Sequence, residues 1–268
     1  MSPQAVGKWE RGESLPDITT LNRLAEILGV DLNYFSDNFQ SVYTDNTVLE
    51  KSNNNLAELS KIQKNKTSWD MSKLNLTDSD FSGLKNLHEK LSSTNIQRCL
   101  FIGSELSGLF LKSNNVDSCN FTNSDISNSQ ILNSMLNKNE FRNCSLKSIK
   151  IIKSYVENCD FTDADFTAAE FKNGGFGKNT IVNAKFNGTT FFEMAIQDIV
   201  FEGTLEDIRF ENCSFYSVKF QNATLLNTFF KNNKKFKRVK FVNCKVDKLT
   251  YAFLKNNLAD MTGITLIS

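Results

Sequence analysis

The chain has 268 residues, a formal net charge of +1, two prolines and a single histidine. This length accommodates one large domain, or a small domain beside a larger one. The net charge by itself indicates neither a nucleic acid nor an acidic partner. No apolar run approaches the roughly 18 residues of a membrane span, and the first residues lack the basic and apolar regions of a signal peptide. We therefore expect a cytoplasmic protein without membrane contact.

Residues 2–35 carry the signals of two helices. Ser2 followed by Pro3 is typical of an N-cap and a first helical position, and Gly12 is a typical helix end after Arg11. The sequence therefore predicts a helix from Ser2 to about Arg11. A second amphipathic helix is predicted after Pro16. Its apolar face comprises Leu21, Leu24, Ala25 and Leu28.

The motif S-x-Q-x-V-x-K-W-E-R-G, then a gap with a proline, then L-x-x-L-A-x-x-L-G-V covers this segment. It resembles the Cro/repressor-type helix-turn-helix family, the xenobiotic-response-element class of bacterial regulators. In that family the first of these segments is the recognition helix, which lies in the DNA major groove. The resemblance implies DNA-binding roles for Ser2, Pro3, Gln4, Ala5, Lys8 and Arg11.

The resemblance also assigns these residues different tasks. Gln4 and Lys8 are expected at base edges, because glutamine suits adenine and lysine suits guanine. Ser2 is expected to contact a phosphate, and Arg11 to lie near the DNA backbone. The remaining two residues, Pro3 and Ala5, are expected to sit against the wall of the groove.

The sequence departs from the family at its start. It begins at the recognition helix, so the first helix and most of the second have no counterpart, and Glu10 lacks the arginine with which the family usually pairs it. Half of such a small domain is not expected to fold stably alone. We therefore expect a partial domain over residues 1–35, either because the start codon is misassigned or because the chain is a truncated remnant. DNA binding through the N-terminal helix is expected if the full domain is present.

Residues 36–68 are polar and rich in Asn, Ser and Lys, which predicts a linker. Residues 69–98 begin with apolar residues five apart, at Met71, Leu76 and Phe81. The following run LKNLHEKL, residues 84–91, has a helical pattern. The segment 69–98 is therefore predicted to form an N-terminal coil with a helical insertion or cap.

A five-residue repeat occupies residues 99–251. Every fifth position from Phe101 to Phe201 is apolar, which matches neither the period of a helix nor that of a strand. The residue two places before each centre is usually small, and all six cysteines occupy this position. Since free cysteine packs as a small hydrophobe, we expect these thiols in the interior. The phase changes after Phe201 and after Phe230, so residues 203–207 and 232–235 are candidate bulges.

This pattern resembles the pentapeptide-repeat family, whose consensus is roughly A-(D/N)-(L/F)-x-x, and residues 159–171 match it best. The resemblance implies a mainly β fold, a right-handed quadrilateral β-helix with four repeats per coil. Large centres and small residues point inward, and the other positions face water. The ends of such a solenoid need caps. Residues 252–268 are predicted to cap the C-terminal end, with a helix at 252–259.

Candidates for chemistry each have a structural explanation that is favoured. His88 fits the surface of a helix, and the acidic run Asp160, Asp163 and Asp165 follows the repeat consensus. The glycines at 174–177 lack the lysine context of a phosphate loop. We expect no catalytic residue, metal or cofactor, and therefore no enzyme.

A basic cluster stands out near the second phase change and could meet phosphate or an acidic partner, although a solvated loop is the favoured interpretation. Its members are Lys231, Lys234, Lys235, Lys237, Arg238 and Lys240.

Two functions remain open. The first is a DNA-binding transcriptional regulator whose solenoid binds a protein partner or forms a homodimer. The second is a non-catalytic interaction scaffold, or a DNA mimic that binds topoisomerase, with a vestigial N-terminus. Mimicry needs an acidic surface, whereas residues 99–251 contain 19 Lys and Arg against 16 Asp and Glu. The charge therefore argues against mimicry.

Overall fold

The computed structural model describes Trp9, Pro16, residues 20–21, 23–25, 73, 75–85 and 93–267. The chain divides into two compact units, Met1–Trp69 and Asp70–Ser268. The predicted linker at 36–68 lies outside the described residues, as does most of the predicted helix at 84–91. Among the residues that the structure describes, no helix is long and apolar enough to cross a membrane.

The second unit is a quadrilateral β-solenoid, as the repeat predicts. Its four sides are called faces 1 to 4 in chain order, and residues 20 apart pair in parallel on adjacent coils, as Leu76 does with Ile96. Face 1 is an eight-stranded sheet of β1 (Asn75–Thr77), β2 (Asn95–Gln97), β4 (Asn115–Asp117), β6 (Met135–Asn137), β8 (Tyr155–Glu157), β10 (Gly175–Gly177), β12 (Ala195–Gln197) and β15 (Ser214–Tyr216).

Face 4 is a second parallel sheet, with seven strands. Its members are β3 (Phe110–Lys112), β5 (Gln130–Leu132), β7 (Lys150–Ile152), β9 (Glu170–Lys172), β11 (Thr190–Phe192), β14 (Arg209–Glu211) and β17 (Phe229–Lys231). Faces 2 and 3 are held by single bridges in most coils, such as Leu100 to Asn120 on face 2 and Glu105 to Asp125 on face 3.

Near the C-terminal end, faces 2 and 3 share a five-stranded sheet. Its members are β13 (Val200–Glu206), β16 (Lys219–Leu226), β18 (Lys240–Val242), β19 (Cys244–Val246) and β20 (Ile264–Leu266). The long strands β13 and β16 run across the corner between the two faces, where the other coils turn.

The repeat centres fill the interior as columns of stacked side chains. On face 2 the rings of consecutive coils lie 4.7–5.0 Å apart, in the column Phe81, Phe101, Phe121, Phe141 and Phe161. A similar column on face 4 has spacings of 4.7–5.2 Å and comprises Phe171, Phe191, Phe210 and Phe230. Stacked aromatic rings add to the large apolar area that each one buries.

The second inward position holds small residues, and the six cysteines are all free and buried there, as predicted. Polar residues at this position satisfy backbone groups of the neighbouring coil. The Thr189 hydroxyl donates to the Phe166 carbonyl at 2.8 Å. Asn139 accepts from the Cys119 N–H at 2.8 Å and donates to the Val116 carbonyl at 2.9 Å. These hydrogen bonds remove the cost of burying polar side chains.

The residue two places after a repeat centre turns the corner with a positive φ. Asparagine is the commonest residue there, as at Asn123, Asn143 and Asn183 with φ of 62°, 55° and 56°. This left-handed conformation is unfavourable for most side chains, but asparagine tolerates it better because its short amide can bond locally. This tolerance explains why asparagine recurs at the corner.

An irregularity occurs at each phase change, but the second lies at residues 236–238 and not at the predicted residues 232–235, since Ser214 still pairs with Lys234 at a spacing of 20. The pairing register shifts between Phe201 and Gly203, so that Phe210 pairs with Phe191, 19 residues earlier. The second phase change contains a 3-10 turn at Phe236–Arg238. It lengthens the coil to 21 residues between Phe220 and Phe241.

The C-terminal helix α1 spans Lys248–Asn256, so it begins four residues earlier than the sequence pattern predicts. Tyr251 therefore lies in the helix and not at a repeat centre. Polar side chains of this segment continue the inward columns of the solenoid. The Thr250 hydroxyl accepts from the Thr228 N–H at 2.9 Å, and Asn257 donates to the Phe230 carbonyl at 2.6 Å. The segment thus caps the open backbone of the last coil.

The corner conformation predicts that Ala168→Gly stabilises the protein. Ala168 has a φ of 60°, where a Cβ costs about 1–2 kcal/mol. Because glycine loses more entropy on folding, we expect a net gain of about 0.5 kcal/mol. The control is Ala169→Gly, which removes a buried methyl group and should cost about 1–2 kcal/mol. Urea unfolding measures both, and a destabilised Ala168→Gly protein would contradict this account of the corner.

The cap predicts that Asp247→Ala destabilises the protein by about 1–2 kcal/mol at neutral pH. Asp247 accepts from the Thr250 N–H and from the Asn227 N–H, each at 2.8 Å. Burial raises the pKa of this carboxyl, but the hydrogen bonds outweigh burial and hold the pKa below 3.8.

Because its folded pKa is lowered, Asp247 stabilises the protein above its ordinary pKa, and this contribution is lost as the pH falls through the folded value. Urea unfolding at several pH values should show the variant and the native protein converging below about pH 4. The exposed Asp260, which caps only a surface turn at Thr262, is the control for Asp247, and Asp260→Ala should have a smaller effect. An equal loss in both variants would refute the role of the cap.

Candidate functional site

The residues proposed by resemblance to bind DNA lie outside the described residues. They are Ser2, Pro3, Gln4, Ala5, Lys8 and Arg11. Trp9, between Lys8 and Arg11, is described and is helical and half-buried.

The helix predicted after Pro16 is present at residues 20–21 and 23–25. Leu21 and Ala25 are buried, with 7 % and 4 % of their surface exposed, whereas Arg23 is exposed. Leu24 is half-buried, and Leu28 lies outside the described residues. Since residues four apart lie on one side of a helix, Leu21 and Ala25 form the buried part of an amphipathic face.

The acidic run on the solenoid is accounted for by turn geometry. Asp160 accepts from the Thr162 N–H at 2.9 Å and pairs with Arg142 at 2.7 Å. Burial raises the pKa of Asp160, but the hydrogen bonds from Thr162 and Arg142 outweigh burial and lower the pKa. Asp165 makes the same turn with Thr167 and pairs with Lys147 at 3.4 Å. Within the described part of the chain, no group of three His, Cys, Asp or Glu residues could hold a metal.

The glycine cluster has a structural cause. A Cβ on Gly174 would lie 2.0 Å from the Ser154 carbonyl oxygen, and a Cβ on Gly175 would lie 2.7 Å from the Tyr155 ring. Glycine is needed at residue 174 because the backbone of the neighbouring coil lies so close, whereas Gly175 leaves room for the Tyr155 ring. His88 lies outside the described residues.

Two cations of the basic cluster have partners in the structure. Lys231 is 2.7 Å from Glu211, and the Lys235 ammonium lies 3.8 Å from the centre of the Tyr216 ring. Arg238 and Lys240 instead line a groove together with Lys219. Sequence reasoning missed Lys219, because it is 21 residues away from Lys240 along the chain. Their parallel pairing brings them together.

Sequence comparison finds similarity in the first 35 residues. A family model described as helix-turn-helix matches residues 1–35. No curated protein matches the chain in sequence.

Solved structures similar to the chain include QnrB1, described as a plasmid-mediated fluoroquinolone resistance protein. It is 19% identical, with a TM-score of 0.36, and the match covers 73% of this chain and 90% of that chain. HetL, a pentapeptide repeat protein from the cyanobacterium Nostoc sp., is involved in regulating heterocyst differentiation. It is 12% identical, with a TM-score of 0.34, and the match covers 63% of this chain and 91% of that chain.

The burial of Cys144, Cys159 and Cys213 predicts that these three thiols are unreactive. Burial raises the pKa of Cys144, Cys159 and Cys213 to about 12. The reactive thiolate is therefore scarce at pH 8. We expect these three thiols not to react within minutes with a thiol reagent such as Ellman's reagent, so at least three of the six stay unlabelled in the native protein. All six thiols should react in denaturant. Rapid labelling of more than three of the six thiols in the native protein would contradict their interior position.

Proposed function

We propose that this chain is a DNA-binding transcriptional regulator. Residues 1–35 bind DNA, and the solenoid binds a protein partner or a second copy of the chain. The match of the helix-turn-helix family model to residues 1–35 carries this proposal. The buried faces of Leu21 and Ala25 support it, because a packed helix is needed to hold a recognition helix in place.

In this proposal Gln4 and Lys8 read base edges in the major groove. Ser2 and Arg11 contact the phosphate backbone and fix the orientation of the helix, because backbone contacts position a protein without carrying sequence information. Pro3 and Ala5 pack against the groove wall and allow a close approach.

The outer side of face 1 supports a protein partner or a homodimer. Met135 and Tyr155 are 50% and 51% exposed, and they pair on adjacent coils. Exposed methionine and tyrosine are typical of binding surfaces, because methionine adapts to its partner and tyrosine combines an apolar ring with a polar hydroxyl. A second copy bound here would present two recognition helices to a two-fold symmetric operator.

A second candidate function is an interaction scaffold that acts without DNA. The same exposed pair, Met135 and Tyr155, favours it, because this surface lies on the solenoid and does not require residues 1–35. The two functions differ in whether sequence-selective DNA binding occurs at all.

The test uses the full chain, with its operator selected from a random DNA library. Fluorescence anisotropy then measures affinity for the selected and a scrambled duplex. Loss of one base contact costs about 1–3 kcal/mol, so Lys8→Ala should weaken selective binding about tenfold or more. Lys185→Ala, at an exposed lysine of the solenoid, is the charge-matched control and should bind like the native protein.

Unchanged selectivity in Lys8→Ala would refute the assigned recognition helix. No selected sequence, together with a protein partner whose binding is lost in Tyr155→Ala, would overturn the regulator in favour of the scaffold.

A further inference from the structure

A groove of ≈ 470 Å³ lies at the corner between faces 1 and 2, in the last coils of the solenoid. Three cations line it, namely Lys219, Arg238 and Lys240. Within the described part of the chain, no ion pair joins any of these three side chains to a carboxylate. The groove is therefore a concave surface with concentrated and uncompensated positive charge.

Two of these cations are forced together by the fold. Lys219 and Lys240 are direct partners in the parallel pairing of β16 with β18. Like charges opposite each other on adjacent strands destabilise a sheet. The ammonium of Lys219 donates to the side-chain carbonyl of Gln221, whose amide in turn donates to Glu202 at 2.8 Å. Gln221 therefore separates Lys219 from Glu202, the carboxylate of this network. An anion bound in the groove would relieve the repulsion between Lys219 and Lys240.

The rest of the groove is apolar or aromatic. Its lining includes Tyr216, Val200 and Val218, with the hydroxyl of Ser217 beside them. Tyr216 is 39% exposed, with the Lys235 ammonium 3.8 Å from the centre of its ring, and Val200 is 45% exposed. A ligand that matches this surface combines a multiply charged anion with an apolar or aromatic body.

The surroundings favour a small ligand over a polymer. A second groove continues beyond Val200 toward the N-terminal coils, and Asp198 and Glu202 line it. A nucleic acid strand extended in this direction would bring its phosphates against these carboxylates. A single phosphate monoester meets only the basic end.

We propose that this groove binds a small phosphate monoester with an apolar or aromatic body. The phosphate lies between Lys219, Lys240 and Arg238, and the body contacts Tyr216 and Val200. The inference is independent of DNA binding by residues 1–35, since it rests only on residues of the solenoid.

The experiment titrates the full chain with phenyl phosphate by isothermal calorimetry at physiological salt. Inorganic phosphate, phenol and a single-stranded oligonucleotide are the comparison ligands. We expect phenyl phosphate to bind more tightly than inorganic phosphate, and phenol not to bind.

The variants Lys219→Gln and Lys240→Gln should each weaken the binding of phenyl phosphate tenfold or more. Tyr216→Ala should weaken the binding of phenyl phosphate but not that of inorganic phosphate. Lys185→Gln on face 3 and Lys112→Gln on face 4 are charge-matched controls, and both should bind like the native chain.

A thermal melt supplies a second readout that does not depend on the choice of ligand. In buffer without phosphate, Lys240→Gln should raise the melting temperature because it removes the repulsion with Lys219, while Lys185→Gln should not. The absence of binding by phenyl phosphate, equal weakening in the control variants, or a lower melting temperature for Lys240→Gln would overturn the proposal. Oligonucleotide binding that phenyl phosphate does not displace would also overturn it, in favour of nucleic acid.

Discussion

The solenoid depends on one constraint, the stacking of residues 20 apart in register. Each coil pairs most of its backbone donors and acceptors with the coils on either side, as in the parallel pairs Val116 with Leu136 and Leu136 with Val156. The same register stacks identical side chains, so that a ring such as Phe121 packs between Phe101 and Phe141. Burying a phenylalanine contributes about 1.5–3 kcal/mol, which offsets the entropy of ordering a narrow coil. A residue of the wrong size therefore disturbs its own coil and both neighbours.

Most of this solenoid could be predicted from the sequence, because its inward positions are apolar or small at a fixed period. The five-residue spacing identifies the repeat centres and places every cysteine inside. The corners could not be found in this way. A polar residue such as Asn123 or Asn183 looks simply solvent-facing, whereas its role is to accept a left-handed backbone that other side chains resist. The start of α1 was also missed, because Lys248 and Tyr251 fit the five-residue period and the helix equally well.

The candidate sites were predictable to different degrees. A motif can identify a recognition helix, but which of Gln4 and Lys8 reaches which base depends on how the helix docks, and the sequence does not contain that geometry. On the solenoid, the basic cluster was visible in the sequence as a run of charges. The sequence did not show that Lys231 pairs with Glu211 or that Lys235 lies over the Tyr216 ring. It also did not show that Lys219 and Lys240 are neighbours on paired strands. The one-residue lengthening of the last coil hides this pairing from a search at a period of 20.

The charge of the solenoid differs on the two sides of the second phase change. Residues 99–230 contain 11 Lys and Arg against 15 Asp and Glu, whereas residues 231–248 contain eight against one. A net charge near zero therefore conceals an acidic body and a basic end. Such a distribution attracts anions toward one end and repels them from the rest, which raises the local concentration of a small anion at the groove. Asp247 and Thr250 accept hydrogen bonds from the backbone of Asn227 and Thr228 and thereby fix α1 to the basic end of the solenoid. The cap therefore stabilises the last coil, which carries Arg238 and Lys240.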